Sequence, residues 1–247
     1  MLVCTGLVDP AEMTNMCITG PPGCGKTMVC SIIARVMQCV LFDNHGEVPV
    51  LCRADLVGEH LGETCNKTRR ALDRCSGSCV FIDEVYSLGA DKATGDKNDV
   101  FAKECIDTLT GYMTEKAGET MFIIGGYDEE VQSSFFAHNP GLDRRFPFRF
   151  RIEPSSAADL RTILQRQVKF EVPPWIEPLI EEHRKCCFKD GGGATLQLAT
   201  RIRIQVARAK FEGKDAGDYG SACRKGLETF VSQCKCKEER TFWGLYT

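Results

Sequence analysis

The residues with the clearest potential for chemistry lie in one glycine-rich segment, GPPGCGKT, at residues 20–27. Its spacing, G-x-x-x-x-G-K-[ST], lets backbone N–H groups surround phosphates while the helix start behind them favours negative charge. Lys26 would contact the β and γ phosphates of a nucleotide, and the Thr27 hydroxyl would ligate Mg²⁺. A chance glycine-rich turn is the alternative, but the segment lies between a predicted strand and an amphipathic helix, as phosphate binding requires. The predicted nucleotide-binding residues are Gly20, Pro21, Pro22, Gly23, Cys24, Gly25, Lys26 and Thr27.

Two adjacent acids follow a predicted strand, CVFI, at residues 79–82. Such a strand delivers Asp83 to its carboxyl end, where ligands collect in parallel sheets. Asp83 would hold Mg²⁺ through water, and Glu84 would polarise the water that attacks the terminal phosphate. Two acids after an apolar run are common and by themselves fit a solvated strand end. Together with the glycine-rich segment they predict nucleotide hydrolysis rather than binding alone.

An arginine pair lies in the segment NPGLDRRF, residues 139–146. An arginine can stabilise the charge on a transferring phosphate, either within one chain or from a neighbouring subunit. Arg145 is the candidate for this role, with Arg144 as the alternative. A surface arginine pair at the end of a loop would have the same local sequence.

The elements that must position these residues follow from the hydrophobic pattern. Apolar runs alternate with helical patterns, which indicates an α/β domain with a mostly parallel sheet. Strands are predicted at residues 16–19, 48–52, 79–82, 121–124 and 148–152. Continuous apolar runs place the third and fourth strands inside the sheet, together with the first. Pro49 and the alternating arginines of FRFRI favour edge positions for the second and fifth strands, the fifth with one face in water.

Behind the glycine-rich segment, apolar residues recur at helical spacing, so Lys26 is expected at a helix start. The predicted stripe consists of Val29, Ile32, Ile33, Val36, Met37 and Val40. Past Pro154 the strand signals stop, and helical patterns are predicted around residues 160–168, 175–185, 198–211 and 222–234. We therefore predict an α/β nucleotide-binding core at residues 1–153 and a helical domain with a C-terminal tail at residues 154–247.

The overall composition narrows the classes of function. The chain has 247 residues, 43% of them hydrophobic, and a formal net charge of −3, so it has no global basic surface for nucleic acid. No apolar run approaches the roughly 18 residues that a transmembrane helix needs. The first residues have no basic region typical of a secretory signal. These observations predict no membrane partner and a cytoplasmic or other reducing intracellular compartment.

Fifteen cysteines are scattered through predicted strands and helices, without the spacing of a disulfide framework. We interpret them as reduced thiols that fill small apolar sites. Two clusters suit a test for metal, one formed by His183, Cys186 and Cys187 and the other by the Cys234-Lys235-Cys236 run. Neither has paired C-x-x-C spacing, so thiols without a metal are expected. Cys24 lies inside the glycine-rich segment, where a thiol-reactive reagent could block the site.

Taken in order, five segments resemble the AAA+ ATPase family, and most closely its branch of red-type Rubisco activase and stage V sporulation protein K. The segments are GPPGCGKT, DLVGEHLGET at 55–64, VFIDEVYSL at 80–88, GGYDEE at 125–130 and NPGLDRRF. That branch carries D-L-V-G-x-Y-x-G-x-T, F-I-D-E-A-Y-x-L, A-G-Y and N-P-G-L-x-S-R-F. The resemblance covers roughly residues 15–210.

The resemblance implies a five-stranded P-loop ATPase sheet with a helical lid, ATP and Mg²⁺ as cofactors, and a ring that is usually a hexamer. It places Arg145 at a finger position that acts on a neighbouring subunit. Tyr127 takes a sensor position near the nucleotide, with a core aromatic at a strand end as the alternative. Residues 57–62 correspond to a pore loop that grips a polypeptide. The residues expected near a protein substrate are Gly58, His60 and Leu61.

The chain departs from this branch in several places. His60 stands where the branch has an aromatic residue, so a polar loop without a pore role is equally open. Thr195 stands where the branch's G-N-A-R has an arginine that senses the γ phosphate, and Arg201 or Arg203 would have to replace it. The chain begins about 20 residues before the glycine-rich segment, whereas the family has a longer segment that packs on the adenine. A fragment, one module of a larger protein or a reduced version is therefore expected.

Three functions stay open at this point. An ATP-driven ring that remodels or translocates a protein agrees with the largest number of motifs. A nucleotide-gated scaffold with little turnover would explain the missing lid arginine. A nucleic-acid motor is disfavoured by the acidic net charge, because the one basic cluster fits a solvated helix face. That cluster consists of Arg201, Arg203, Arg208 and Lys210.

Overall fold

The structure of the protein, a computed structural model, describes residues 14–60, 62–89, 100–213 and 219–243, with side chains described as far as Cys234. Its strands are β1 (Met16–Thr19), β2 (Val50–Leu51), β3 (Cys79–Ile82), β4 (Met121–Gly126) and β5 (Phe148–Arg151). Its helices are α1 (Lys26–Phe42), α2 (Arg53–Leu56), α3 (Thr64–Asp73), α4 (Val100–Glu115), α5 (Asp128–Glu130), α6 (Ala157–Val168), α7 (Ile176–Glu182), α8 (Arg184–Cys187), α9 (Gly191–Phe211) and α10 (Tyr219–Trp243).

The strands form one parallel sheet in the order β2-β3-β4-β1-β5. This arrangement confirms the predicted α/β class and the predicted edge positions of the second and fifth strands. Every residue of β3 and β4 is buried, as their continuous apolar sequences required. The strand β2 is shorter than predicted, and Pro49 takes part only through its carbonyl, which accepts a hydrogen bond from the Phe81 N–H at 2.9 Å.

The edge strand β5 differs from the prediction that only one of its faces meets water. All four of its residues are exposed, and the phenyl side chains of Phe148 and Phe150 are 45% and 52% exposed. The alternating pattern gave the correct period, but alternation does not say whether another layer covers the apolar face. No part of the chain that the structure describes buries that face.

The helix α1 begins at Lys26, as predicted, and only part of the predicted stripe packs. Ile33 and Met37 are partly buried against the core, whereas Ile32 and Val36 are more than half exposed. The fully buried positions are Cys30, Ala34 and Gln38, which the stripe did not include. Apolar spacing located the helix and one side of its packing face.

The chain divides into two compact units. The first contains residues up to Gly20 together with Gly25–Ile152, and the second contains Pro21–Cys24 together with the residues from Glu153 onward. The first unit has core residues on both faces of the sheet. In the second unit, α6 to α10 surround a core that includes Leu164, Ile180, Ile202 and Phe230.

Two helices of the second unit depart from their predicted bounds. The pattern at 175–185 is divided at His183, whose φ of −98° and ψ of 11° separate α7 from α8. The helix predicted at 198–211 begins earlier, at Gly191, and its first three residues are glycines. Glycine is a poor helix former, so a prediction from local propensity starts the helix too late. These glycines are helical because of packing within the second unit.

The start of α6 is set by a capping box. The Ser156 hydroxyl accepts a hydrogen bond from the Asp159 N–H at 3.1 Å, and the Asp159 carboxylate accepts from the Ser156 N–H at 2.9 Å. The Ser156 hydroxyl also donates to the Asp159 carboxylate at 2.6 Å, and this bond, followed by the one from the Ser156 N–H, holds the pKa of Asp159 below its usual value. The two backbone hydrogen bonds satisfy N–H groups that would otherwise lack a partner at the helix end.

We expect Ser156→Ala to lower the free energy of unfolding of the chain by about 1 kcal/mol, because the N-cap acceptor is lost. Ser155→Ala is the matched control, since the structure uses Ser155 through its backbone carbonyl, which accepts from Arg184. Chemical denaturation followed by circular dichroism measures both variants. Equal destabilisation by the two would contradict the capping role.

Candidate active site

The glycine-rich segment turns from β1 into α1 with glycines where the backbone requires them. Gly23 and Gly25 have φ values of +66° and +88°, which other residues adopt only with strain. Gly25 is also the N-cap of α1, and the first turn of that helix has no acidic residue to compete for an anion. The N–H groups of a long helix start therefore face the position where phosphate binding is predicted.

The middle of the segment, Pro21–Cys24, belongs to the second unit. The Gly23 carbonyl accepts a hydrogen bond from the Gly192 N–H at 3.0 Å. A side chain at Gly23 would place its Cβ 1.8 Å from the carbonyl oxygen of Asp190, so close approach also requires glycine here. Cys24 is half-buried, and Pro22 is exposed.

Lys26 lies between a carbonyl and an aromatic ring. Its ammonium group donates to the Gly20 carbonyl at 2.9 Å and lies 4.4 Å from the centroid of the Tyr127 ring. The negative face of a ring attracts a cation, so Tyr127 helps to hold the lysine at the edge of the loop. Tyr127 is thus close to the predicted nucleotide-binding residues, although its contact is with the lysine.

Thr27 and Asp83 lie side by side. The Thr27 hydroxyl donates to an Asp83 carboxylate oxygen at 2.8 Å. Mg²⁺ prefers oxygen ligands and usually keeps several bound waters, through which a carboxylate can also hold it. The two side chains therefore fit the oxygen ligands that Mg²⁺ prefers. Gly125 at the end of β4 allows this position, because a Cβ there would be 3.4 Å from Asp83 Oδ1 and 3.2 Å from the Phe81 ring.

Glu84 has a strained backbone. Its φ of 49° and ψ of 44° are left-handed, which is uncommon for a residue with a side chain. The other carboxylate oxygen of Asp83 accepts a hydrogen bond from the Glu84 N–H at 2.9 Å, which helps to hold this turn. The strand thus ends in a tight turn at the two acids. Such strain is often found where a functional side chain must be aimed.

Tyr86 is a site residue that the sequence analysis did not single out. Burial, together with the neighbouring Glu84 carboxylate, raises the pKa of Tyr86, so the phenol keeps its proton and can donate to the acid. Its ring is buried and stacks on Tyr127 with a centroid distance of 5.4 Å. The signal was present in VFIDEVYSL, where a tyrosine lies two residues after the glutamate. Only the fold revealed that it contacts the acid.

Arg145 is not part of this group of contacts within the described chain. Its guanidinium donates to the Gly141 carbonyl at 2.7 Å and to the Thr114 hydroxyl at 2.6 Å. Its own carbonyl accepts from Asn15 at 3.0 Å. Burial and the neighbouring Arg144 lower the pKa of Arg145. The arginine is therefore held on a short 3-10 helix, Pro140–Arg145, while Arg144 is exposed.

The predicted pore loop has a fixed base and an exposed tip. The Gly58 N–H donates to the Thr64 hydroxyl at 3.1 Å, and the ammonium group of Lys67 donates to the Val57 carbonyl at 2.8 Å. Gly62 has a φ of +84°, which favours glycine. His60 is exposed between these points. The predicted contact residue Leu61 lies outside the described residues.

Thr195, which stands where the related branch has its lid arginine, is buried. Thr195 is fully buried in α9, and its hydroxyl donates to the Gly192 carbonyl at 2.9 Å. The two arginines considered as replacements both bind within the second unit. Arg201 donates to the Gln197 carbonyl and to the side chain of Gln233, and Arg203 donates to the Gln167 carbonyl. Neither side chain is available without breaking these contacts.

Comparison with known proteins supports the same chemistry. Residues 16–150 match the family described as "ATPase family associated with various cellular activities (AAA)". The chain is 37% identical over 161 residues to a putative cfxQ-like protein of Acanthamoeba polyphaga mimivirus, covering 65% of this chain and 39% of that protein. It is 37% identical over 163 residues to stage V sporulation protein K of Bacillus subtilis, covering 66% of this chain and 49% of that protein.

A longer but weaker match is with the chloroplastic ribulose bisphosphate carboxylase/oxygenase activase of Cyanidioschyzon merolae, 26% identical over 239 residues. It covers 92% of this chain and 75% of that protein. By contrast, the matches to the mimivirus and Bacillus proteins span less than half of those relatives. Across its described residues, the chain has no helix that is long and apolar enough to cross a membrane.

A thiol reagent such as N-ethylmaleimide is expected to block nucleotide binding by modifying Cys24. Burial raises the pKa of the nearby thiols Cys17, Cys30 and Cys79 to about 12, so these react slowly near neutral pH. Binding of a fluorescent ATP analogue, measured before and after alkylation, tests this. Cys24→Ala should resist the reagent, whereas Cys65→Ala, which removes an exposed thiol, should stay sensitive. Equal sensitivity of both variants would contradict the prediction.

Tyr86→Phe is expected to lower the rate of ATP turnover while nucleotide affinity stays near that of the unchanged chain. The substitution keeps the stacked ring but removes the hydroxyl that orients Glu84. In a Glu84→Gln background it should have little further effect, because the two groups act together. Tyr219→Phe in the second unit is the control. Additive losses in the double variant would show that Tyr86 does not act through Glu84.

Proposed function

The chain belongs to the AAA family of ATPases, and from this we propose that it binds ATP with Mg²⁺ and hydrolyses it as a subunit of an oligomeric ring that remodels or translocates a protein. The single observation that supports the hydrolytic part is the set of contacts joining Thr27, Asp83 and Glu84, at the start of α1 and the end of β3. In this proposal the residues that would bind phosphate, hold the metal and orient the water lie together there. This is the minimum that phosphoryl transfer to water requires.

Each side chain has a distinct role in this proposal. The backbone of residues 20–27 and the ammonium group of Lys26 hold the phosphates. Thr27 and Asp83 would hold Mg²⁺, which supplies positive charge to the β and γ phosphate oxygens. Glu84 accepts a proton from the attacking water, and Tyr86 keeps its carboxylate oriented. Tyr127 supports Lys26 from the side of the loop.

Arg145 is proposed to act on the nucleotide of a neighbouring subunit. Its contacts with Thr114 and Gly141 fix the guanidinium on a rigid segment instead of leaving it mobile. A pre-positioned arginine stabilises developing phosphate charge with less loss of side-chain freedom than a flexible one. The exposed Arg144 is the alternative, since it can reach outward without first breaking such contacts.

A protein substrate would pass the loop that contains Gly58, His60 and Leu61. The exposure of His60 above the fixed base of the loop supports this placement. A ring of about six subunits is proposed because this is the usual oligomeric state of the family. The α/β core at residues 1–153 and the helical lid at 154–247 are assigned in the same way, supported by the change of compact unit after Ile152. The free thiols of the described cysteines support a cytoplasmic or other reducing compartment.

A nucleotide-gated scaffold with little turnover is the second candidate. It is favoured by the burial of Thr195 and by the contacts that occupy Arg201 and Arg203, the two arginines considered as replacements for the missing lid arginine. The same occupied arginines weaken the case for a nucleic-acid motor. Such a motor would need a basic surface that the net charge of −3 does not provide.

The proposal predicts ATP hydrolysis whose specific rate rises with the concentration of the chain, because the arginine arrives from a neighbour. Glu84→Gln should lower turnover to a small residual rate and keep ATP binding. Arg145→Ala should lower turnover by roughly a thousandfold. Steady-state phosphate release over a concentration series measures these rates.

A mixture of the two variants separates the hypotheses further. Glu84→Gln subunits retain Arg145, and Arg145→Ala subunits retain Glu84, so mixed rings should recover part of the activity. Arg144→Ala is the matched control and should stay active alone. ATP binding without turnover at any concentration would favour the scaffold. Activity in Arg145→Ala together with its loss in Arg144→Ala would transfer the finger role to Arg144.

A further inference from the structure

Three potential metal ligands meet at the junction of α7 and α8. The ligating atoms of His183, Cys186 and Cys187 all lie within 4.8 Å of one another. The two sulfur atoms are 3.3 Å apart. His183 lies at the break between the helices, so its ring is brought beside cysteines that follow it by only three and four positions.

A fourth ligand comes from a different helix. Cys234 lies on α10 and packs against the apolar cluster that contains Cys187, and burial together with the neighbouring Cys186 and Cys234 thiols raises the pKa of Cys187. In the sequence these cysteines fall in two separate clusters, neither with zinc-like spacing. The fold brings one member of the second cluster to the first. One imidazole and three thiols are thereby gathered in the second unit.

The surroundings suit a metal that binds sulfur. Cys187 is buried, whereas the other three residues are half-buried, so an ion could enter from solvent and then be shielded. Phe188 and Phe230 are buried beside the cluster, with ring centroids 5.2 Å apart. Such an apolar boundary strengthens the attraction between a cation and thiolates.

We propose that His183, Cys186, Cys187 and Cys234 form a structural site for one soft divalent metal ion, zinc above all. Tetrahedral zinc with Zn–S bonds near 2.3 Å and Zn–N bonds near 2.0 Å places its ligand atoms about 3.5–3.8 Å apart. The separations of 3.3 Å and up to 4.8 Å among His183, Cys186 and Cys187 bracket these values, and Cys234 would have to move toward these three to complete the tetrahedron. Three thiols lose their protons to solvent as the ion binds, which leaves a ZnS₃N centre with one negative charge.

The ion would tie α10 to the α7–α8 junction. α10 is the last helix of the second unit, and its first half packs into the core through Cys223, Leu227 and Phe230. A tetrahedral bridge at Cys234 would add a metal–sulfur bond to the apolar contacts that this part of the helix already makes. A hard cation such as Mg²⁺ prefers oxygen ligands and would not compete for this site.

The first experiment measures zinc in the full chain, purified in reducing buffer without a metal-affinity step or a chelator. Plasma mass spectrometry is expected to find about one zinc per chain. After removal of the metal, Co²⁺ should give the near-ultraviolet thiolate charge-transfer band and the intense visible bands of a tetrahedral site. Absence of zinc together with no charge-transfer band would overturn the proposal, as would a Cys186–Cys187 disulfide found by mass spectrometry of the chain before any oxidant is added.

Variants assign the site to the named residues. Cys187→Ser and Cys234→Ser should each lower bound zinc to a tenth or less, and His183→Asn should weaken it. Cys39→Ser, a half-buried cysteine of the first unit, is the control and should keep one ion. A chelator should lower the melting temperature of the unchanged chain and of the control, but not of Cys187→Ser. Zinc retained at full level in both Cys187→Ser and Cys234→Ser would refute this ligand set.

Discussion

The contact between the Thr27 hydroxyl and the Asp83 carboxylate joins the start of α1 to the end of β3, and the candidate site is arranged around it. The two residues are far apart in sequence, and only the parallel pairing of β1, β4 and β3 brings their carboxyl ends to one edge. The carboxyl end of β4 and the start of the turn that follows it lie at the same edge of the sheet. The requirement that every strand point the same way therefore determines where phosphate, metal and water can meet.

Close packing at this edge depends on small residues as much as on charged ones. A side chain at Gly126 would place its Cβ 2.5 Å from Val131 and 3.0 Å from the Tyr86 ring. The space that the glycine leaves is filled by Tyr86, which reaches Glu84 and stacks on Tyr127. The strained backbone of Glu84 is tolerated because the carboxylate of Asp83 and the hydroxyl of Tyr86 hold it from two sides. Buried aromatic packing thus supports the acid that the proposed hydrolysis uses.

In the second unit, helices pack against one another without a sheet to align them. Its arginines Arg201 and Arg203 are used to join helices to one another rather than to project outward. Thr195 is buried in the same helix, where an arginine would have to leave the core or disrupt it. In the proposed metal site, the thiols of α8 and α10 would add metal–sulfur bonds to the apolar contacts that these helices already make.

Much of the fold could be predicted from the sequence, because the signals involved are local. The glycine spacing of residues 20–27 indicated the turn into α1. The apolar runs of β3 and β4, the proline just before β2 and the alternating arginines of β5 indicated which strands lie inside the sheet and which lie at its edges. Helix bounds were less accurate where propensity and packing disagree, as at the glycines of α9 and at His183.

By itself, the sequence determined which residues are available for phosphate, metal and water chemistry, since those residues follow spacings set by strand ends and loop turns. Only the tertiary structure decided which side chains meet across long separations. It paired Tyr86 and Tyr127 with Glu84 and Lys26, held Arg145 on Thr114, chose the buried face of α1 and brought Cys234 to Cys187. The physical reason is that such contacts depend on how whole elements pack against one another, and packing is settled by volume and burial across the core rather than by local spacing.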